Sequence, residues 1–367
     1  MRAAYICFVV RVQQSLQAVI DPNTGKDFVS TKTLKNLQVE GGDVSFDVEL
    51  GYPAKSQLGA LRTALMAAVQ ALDGVTQVTV NLHTKISAHA VQRGVQLLPG
   101  VKNIVAVASG KGGVGKSTTA VNLALALAAE GASVGLLDAD IYGPSQPMMM
   151  GIEGRPESED GKTMEPMENY GVQVMSIGFL VNQDEAMIWR GPMATQALEQ
   201  LLRQTNWKDL DYLIIDMPPG TGDIQLTLSQ RVPMTGAVIV TTPQDIALLD
   251  AKKGIKMFEK VGVPILGIVE NMAVHVCTNC GHIEHIFGAD GGKKMAENYQ
   301  MDYLGALPLN MQIRLQADNG KPTVVADPDG EVAGIYKSVA RQVAIKIAAK
   351  AKAFSAKFPT ITVSKNT

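Results

Sequence analysis

Apolar residues are arranged in two different ways along this chain, and the change falls near residue 100. From about residue 16 to residue 86, a short helix and three short strands accompany an amphipathic helix at about residues 56–72. From residue 104 onward, short β-branched segments alternate with longer segments of helical period. Regular alternation of strand and helix favours a mostly parallel sheet covered on both faces. The pattern therefore predicts a small α+β domain followed by a larger α/β domain.

The predicted strands are short and are bounded by glycine, proline and other turn residues. In the first domain they cover residues 33–39, 44–50 and 75–82, and a Glu-Gly-Gly-Asp turn joins the first two as a hairpin. In the second domain they cover residues 104–109, 134–138, 172–177, 212–216, 237–241, 265–270 and 303–307. The last long helix, from residue 334 to about residue 354, carries an apolar stripe and several lysines. Such a stripe more often packs against a sheet than binds a membrane surface.

Turn residues and changes of pattern divide the 367 residues into five parts. Residues 1–14 superficially resemble a signal sequence but lack a small-residue cleavage site, so they are expected to form an unstructured or packed extension. The other parts are the small domain, a linker, the large domain and a tail, at residues 15–86, 87–102, 103–357 and 358–367.

The strongest chemical signature lies directly after the first strand of the second domain. Residues 110–118, GKGGVGKST, fit the phosphate-binding pattern G-x-x-x-x-G-K-S/T without a mismatch, and a helical pattern follows them. Glycines let backbone N–H groups close around phosphate oxygens, while Lys116 reaches the β- and γ-phosphates and Ser117 coordinates Mg²⁺. The alternative is a glycine-rich turn before an ordinary helix. The predicted ATP-binding residues of this loop are Gly110, Lys111, Gly112, Gly113, Val114, Gly115, Lys116, Ser117 and Thr118.

A second carboxylate signature ends the strand predicted at residues 212–216. Asp216 follows four apolar residues, which is the arrangement that holds Mg²⁺, commonly through water. The next residues, 217–223 with the sequence MPPGTGD, combine stiff prolines with mobile glycines. This composition suits a switch that senses the γ-phosphate, and a turn without a switching role is the weaker interpretation.

Composition narrows the classes of partner and compartment. A formal net charge of −2 gives no electrostatic argument for binding nucleic acid. Three cysteines do not make a disulfide framework, and no apolar run is long enough to span a bilayer. We therefore expect a cytoplasmic protein that binds neither nucleic acid nor membrane.

The string KGGVGKST resembles the deviant Walker A loop of MinD-, NifH- and Mrp-type ATPases. In that group the additional lysine, here Lys111, reaches across a dimer interface to the nucleotide of the partner subunit. The resemblance implies a homodimer that closes on ATP, although a solvated loop lysine is the alternative. The resemblance also implies that Asp140, in DADIYGPS, orients the attacking water and that Asn271 binds the purine edge. Lys111, Lys116 and Asp140 are thus the predicted catalytic residues; without the resemblance, Asp138 and Asp140 could simply cap their loop.

A pair of cysteines, Cys277 and Cys280, follows the strand at residues 265–270 with C-x-x-C spacing. This spacing suits iron–sulfur clusters, zinc or redox chemistry. A cluster usually takes four thiolates, so two copies of the pair across a twofold axis would complete one. The alternatives are a zinc site that adds His282 and His285 within one chain, and a disulfide or bystander pair.

Taken together, the motifs GKGGVGKST, DADIYGPSQPMMMG, IIDMPPGTGD and VENM followed by CTNCG are similar to those of the Mrp/ApbC iron–sulfur cluster carrier family. The small first domain, with DPNTGKDFV, looks like the domain found in iron–sulfur assembly proteins. The resemblance covers nearly the whole chain and implies a homodimeric P-loop ATPase that carries a labile cluster, four-iron four-sulfur, from an assembly scaffold to apo-proteins. A MinD/ParA-like positioning ATPase and a NifH-like electron donor are the rival interpretations.

Overall fold

The computed structural model describes the backbone of residues 2–88, 96–181 and 191–357. The chain separates into two compact units, Met1–Ser87 and Ala88–Thr367. The predicted tail and residues 89–95 of the predicted linker lie outside the described residues.

The first unit contains a three-stranded sheet and two long helices. In the order β3-β4-β5, the outer strand β3 is antiparallel to β4, whereas β4 and β5 are parallel. Every second residue of β4 is buried, and Leu61, Leu65 and Val69 of α2 are buried as well. The elements are α1 (Arg2–Gln17), β1 (Ile20–Asp21), β2 (Lys26–Asp27), β3 (Leu34–Glu40), β4 (Asp43–Leu50), a 3₁₀ turn (Lys55–Gln57), α2 (Leu58–Gln70) and β5 (Gln77–Thr84).

The start of the chain, predicted as an unstructured or packed extension, is a helix that packs in the first unit. A single helix, α1, runs from Arg2 to Gln17, so the boundary predicted between residues 14 and 15 falls inside it. No glycine or proline interrupts this segment. Val12 and Leu16, one helical turn apart, are fully buried, and the Ser15 hydroxyl donates to the carbonyl of Ala68 at 2.5 Å. The helix is therefore part of the first unit.

The described residues of the second unit form an eight-stranded sheet in the order β15-β12-β11-β6-β10-β7-β9-β8. All neighbouring strands are parallel except β8, which is antiparallel to β9 at one edge. The strands are β6 (Val101–Ala108), β7 (Val134–Asp138), β8 (Met167–Asn169), β9 (Val172–Ser176), β10 (Leu210–Asp216), β11 (Gly236–Thr241), β12 (Ile265–Glu270) and β15 (Tyr303–Ala306), and a separate hairpin pairs β13 (His275–Val276) with β14 (Ile283–Glu284).

Two details of the sheet depart from the sequence prediction. Strand β6 begins at Val101, inside the predicted linker, because Val101 pairs with Leu210. Strand β8 was not predicted, since its three residues are too short to show a period.

Helices cover the sheet, and β6 lies between β10 and β11 near its middle. Helix α3 follows β6 directly and is buried along most of its length. The helices of this unit are α3 (Lys116–Ala129), α4 (Gln146–Met149), α5 (Gly191–Gln204), α6 (Asp223–Arg231), α7 (Asp245–Lys260), α8 (Gly291–Asn298), α9 (Met311–Asp318), α10 (Thr323–Ala326) and α11 (Glu331–Lys357), with a 3₁₀ turn at Ile177–Phe179.

The final helix, α11, packs against α3 and β15. Its apolar stripe, which includes Tyr336, Val339, Val343 and Ile347, is buried. Of the two interpretations of this stripe, the structure shows packing against the rest of the unit. In the described part of the chain, no helix has both the length and the hydrophobicity needed to cross a bilayer.

A buried ion pair joins α11 to the end of α3. Arg341 Nη1 lies 2.5 Å from Glu130 Oε1, and the two side chains are 11% and 0% exposed. Loss of one partner of such a pair leaves the other charge buried. We expect Arg341→Met to lower the free energy of unfolding by about 3–5 kcal/mol in urea denaturation. Arg314→Met is the control, because Arg314 pairs with Asp318 on an exposed helix face, where loss should change stability by less than about 1 kcal/mol. Equal effects of the two variants would contradict this account.

Candidate nucleotide site and cysteine loop

The glycines of the loop at residues 110–118 are required by its backbone and its neighbours. Gly113 and Gly115 have φ values of +81° and +80°, in the left-handed region that other residues rarely adopt. A Cβ atom on Gly110 would overlap the backbone of Asp250 in α7, and one on Gly115 would overlap the side-chain amide of Asn271. The loop therefore approaches two other segments too closely for larger residues.

Lys116 lies at the centre of a group of polar side chains. Its Nζ is 2.5 Å from Asp216 Oδ1, 3.1 Å from Ser117 Oγ and 4.0 Å from Asp140 Oδ2. Only 6% of the Lys116 side chain is exposed. The structure thus brings together four residues that the sequence analysis had assigned separately to phosphate, Mg²⁺ and water.

Sequence reasoning missed Gln146, which is fully buried at the start of α4. Its Nε2 donates to Asp216 Oδ2 at 2.9 Å and to the carbonyl of Ser117 at 3.1 Å. Its Oε1 is buried and has no hydrogen-bond partner among the residues that the structure describes. The only available signal was its place in the loop that follows Asp138.

The donor set around Asp216 fits magnesium. Mg²⁺ binds oxygen ligands and keeps several of its waters. The Asp216 carboxylate, the Ser117 hydroxyl and the unpartnered Gln146 oxygen supply this kind of environment.

Asp138 is fully buried beside Asp216, because the two residues pair in register on β7 and β10. Its carboxylate accepts from the backbone N–H groups of Asp140, Ser145 and Gln146 at 3.0–3.2 Å. Burial, reinforced by the Asp216 charge, raises the pKa of Asp138 to about 7. Asp138 thus holds the loop that carries Asp140, which itself faces Lys116.

Asn271 contacts the phosphate-binding loop. Its Nδ2 donates to the carbonyl of Val114 at 2.9 Å, and its Oδ1 accepts from the backbone of Met272. Its role at the purine edge stays a prediction.

Lys111 differs from Lys116 in its surroundings. Its backbone carbonyl accepts from Ser109 Oγ at 2.8 Å. Its half-buried side chain, by contrast, makes no ion pair or hydrogen bond with any residue that the structure describes.

Cys277 and Cys280 lie in the turn of the β13–β14 hairpin. The backbone N–H of Cys277 donates to the carbonyl of His282, and that of Gly281 donates to the carbonyl of Cys277, both at 2.9 Å. Backbone N–H groups of Asn279 and Cys280, together with the Cys280 thiol, lower the pKa of the Cys277 thiol. Cys277 is half-buried and Cys280 is exposed. The turn therefore presents two thiols close together, and the pKa of one of them, Cys277, is lowered.

The neighbouring histidines have other contacts. His275 Nδ1 lies 3.2 Å from the carbonyl of Leu309, and His285 Nδ1 lies 3.1 Å from that of Ala273. Across residues 2–88, 96–181 and 191–357, no three histidine, cysteine or acidic side chains converge as a metal site.

Both units match known protein families. Residues 100–344 match the family described as NUBPL iron-transfer P-loop NTPases, and residues 10–80 match the family described as iron–sulfur cluster assembly proteins. An iron–sulfur cluster carrier protein of Pseudomonas fragi is 62% identical over 278 residues, which make up 75% of this chain and 97% of that protein. The carrier protein of Haemophilus influenzae is 50% identical over 338 residues, 92% of this chain and 91% of that one.

A further relative and a solved structure agree with these matches. The iron–sulfur cluster transfer protein NUBPL of Mus musculus is 55% identical over 248 residues, 67% of this chain and 78% of that protein. A nucleotide-binding protein of Archaeoglobus fulgidus, solved in complex with ADP, is 37% identical with a TM-score of 0.55 and covers 63% of this chain and 90% of that one. The predicted fold class, a mostly parallel P-loop NTPase domain with a small α+β domain, is confirmed.

The raised pKa of Asp138 predicts a pH dependence of stability. Because the folded state holds this proton up to about pH 7 and the unfolded state releases it near pH 3.8, stability should fall as pH rises through this interval. One such group lowers the free energy of unfolding by up to about 1.4 kcal/mol for each pH unit in this interval. We expect Asp138→Asn to reduce the slope measured by urea unfolding between pH 4 and pH 7. A residual slope should persist, because burial also raises the pKa of Asp140.

Asp160→Asn is the control for this prediction. Hydrogen bonds from Thr163 and Lys162 lower the pKa of Asp160, so its contribution to stability is lost only as pH falls below about 4. Its removal should leave the slope between pH 4 and pH 7 unchanged. An unaltered slope in Asp138→Asn would show that Asp138 is not the responsible group.

Proposed function

We propose, from the premise that this chain belongs to the family of NUBPL iron-transfer P-loop NTPases, that it is an ATP-hydrolysing carrier of iron–sulfur clusters. In this proposal the cargo is a labile cluster that the protein accepts from an assembly scaffold and delivers to apo-proteins. The observation that carries the proposal is the pair of adjacent thiols, Cys277 and Cys280, on an accessible hairpin of a P-loop domain.

The nucleotide part of the proposal rests on the geometry around Lys116. Residues 110–118 offer backbone N–H groups at the N-terminus of α3, where phosphate groups bind favourably. Lys116 would bind the β- and γ-phosphates, while Ser117 and Asp216 would hold Mg²⁺, which supplies neutralisation of phosphate charge. Asp140, which lies 4.0 Å from Lys116, would orient the attacking water.

The cluster part of the proposal rests on the number and setting of the thiols. A cluster with four thiolate ligands, such as a four-iron four-sulfur cluster, needs two more than this hairpin supplies. A second copy related by a twofold axis would supply them. The hairpin also exposes apolar surface, since Val276 and Ile283 are 47% and 58% exposed. Burial of this surface would favour pairing of two copies at the hairpin.

Lys111 supports the same pairing from the nucleotide side. Its side chain is not engaged by any described residue of its own chain, so it is available to reach the nucleotide of a second copy. Closure on ATP would then coincide with formation of the shared thiol site. Free thiols fit a reducing compartment such as the cytoplasm.

Two substitutions separate the cluster ligands from the nucleotide site. We expect Cys277→Ala to abolish cluster binding after anaerobic reconstitution, measured by visible absorption, while ATP binding stays unchanged. Lys116→Ala should have the opposite effect. Cluster binding should be unchanged, because both thiols are intact, and ATP turnover should fall by at least about a hundredfold, because the lysine that stabilises charge on the transferred phosphate is lost.

Cys7→Ala is the control, because Cys7 lies on α1 in the first unit. A Cys277→Ala protein that reconstituted fully would refute the ligand assignment. Transfer of the cluster to an apo-acceptor distinguishes a carrier from an electron donor, which would retain its cluster through redox cycles. Zinc analysis of the purified protein tests the remaining metal alternative.

Replacement of Lys111 tests the proposed dimer. We expect Lys111→Ala to weaken dimer formation with a non-hydrolysable ATP analogue, measured by light scattering after size-exclusion chromatography, and to leave nucleotide affinity of the monomer nearly unchanged. Lys162→Ala, which removes an exposed loop lysine, should behave as the unmodified protein. Full dimerisation of the Lys111→Ala protein would reject this role.

A further inference from the structure

Gln146 makes contacts that the roles assigned to its neighbours do not explain. Both hydrogens of its side-chain amide are used, one by Asp216 Oδ2 and one by the Ser117 carbonyl. The oxygen of the same amide, Oε1, has no partner in the described part of the chain although Gln146 is fully buried. Buried polar atoms without partners are rare in proteins and often mark a place for a water or an ion.

The backbone of Gln146 is also held in place. Its N–H donates to Asp138 Oδ2 at 3.0 Å, and Pro147 follows it and restricts the first turn of α4. One residue therefore connects the carboxyl ends of β7 and β10 with the first turn of α3. A side chain held at both ends in this way has few alternative positions in which Oε1 could find another donor.

The two oxygens of Asp216 are divided between Lys116 and Gln146. Lys116 Nζ contacts Oδ1, and Gln146 Nε2 contacts Oδ2. In the proposed function Lys116 turns to phosphate, which removes one of the two contacts that orient this carboxylate. Gln146 is the partner that would remain.

We propose that Gln146 is a positioning residue of the magnesium site. Its Nε2 holds Asp216 in the orientation that receives the cation, and its Oε1 accepts a hydrogen bond from a water of the hydrated cation. The inference rests on the proposed nucleotide chemistry and adds a residue that acts on the metal through Asp216 and water. Residues of this kind typically change metal affinity by tenfold to a hundredfold when replaced.

The test measures metal affinity apart from turnover. Mn²⁺ serves as the spectroscopic probe, and free Mn²⁺ is quantified by electron paramagnetic resonance in the presence of a non-hydrolysable ATP analogue. We expect Gln146→Met, which keeps the length of the side chain and removes both polar atoms, to raise the Kd for Mn²⁺ about tenfold or more. Affinity for the analogue in EDTA should change by less than about threefold, because the loop N–H groups and Lys116 are unchanged.

A second variant tests the same role through an expected gain, rather than a loss, of stabilisation by the metal. Gln146→Glu keeps an acceptor, loses the donor to Asp216 and places a second carboxylate beside it. Its Tm without ligands should therefore fall, while the rise in Tm on adding Mn²⁺ with the analogue should exceed that of the unmodified protein. A residue that only braced the loop would lower the Tm equally with and without metal.

Gln173→Met is the matched control. Gln173 also makes two hydrogen bonds through its side chain, both to the backbone of Lys208, and it lies on β9 away from the nucleotide loop. It should leave Mn²⁺ affinity unchanged.

Three outcomes would overturn the proposal. A folded Gln146→Met protein with unchanged Mn²⁺ affinity would do so directly, while the proposed ATPase would stand. If Gln146→Met does not fold, the Gln146→Glu variant decides. An increase of its Tm with metal that only equals the increase of the unmodified protein would contradict the proposal. Absence of Mn²⁺ binding with the analogue in the unmodified protein would remove both this proposal and the proposed nucleotide chemistry.

Discussion

A single buried cation among carboxylates is the constraint on which the second unit depends. Asp138 and Asp216 are fully buried neighbours at the ends of adjacent strands, an arrangement that disfavours two full negative charges. Lys116 offsets the charge at Asp216, while backbone N–H groups and the raised pKa accommodate Asp138. The same lysine belongs to the phosphate-binding loop. The positive charge that stabilises the carboxyl edge of the sheet is therefore also in place to bind nucleotide phosphate.

The loops around this group of charges approach one another closely. The loop at residues 110–118 lies against α7 at Gly110 and against Asn271 at Gly115, where only glycine leaves room. Asn271 in turn holds the carbonyl of Val114 and lies six residues before Cys277 in the chain. A short, contiguous segment therefore links the phosphate-binding loop to the thiols. His285 attaches the hairpin to that segment through the carbonyl of Ala273, and His275 attaches it to the carbonyl of Leu309, beyond β15.

The two chemical centres differ in how complete they are within one chain. The nucleotide centre has Lys116, its carboxylates and its loop already assembled, and Lys116, Asp138 and Asp216 are buried. The cysteine hairpin supplies two sulfur atoms and an exposed apolar surface, and a four-thiolate cluster would require as many again. This difference follows from the fold, because the carboxyl edge of a parallel sheet gathers residues from several strands, whereas a two-stranded hairpin has only its own turn.

The sequence by itself determined the seven strands predicted in the second unit, the phosphate-binding loop, Asp216 and the cysteine pair, because each depends on local period or on spacing within a few residues. It did not determine that α1 belongs to the first unit, since burial of Val12 and Leu16 depends on packing with distant residues. Its only sign of Gln146 was the place of this residue in the loop that follows Asp138. Only the tertiary structure decided that the amide of Gln146 meets Asp216, 70 residues away, because the pairing of β7 with β10 brings the two loops to one edge.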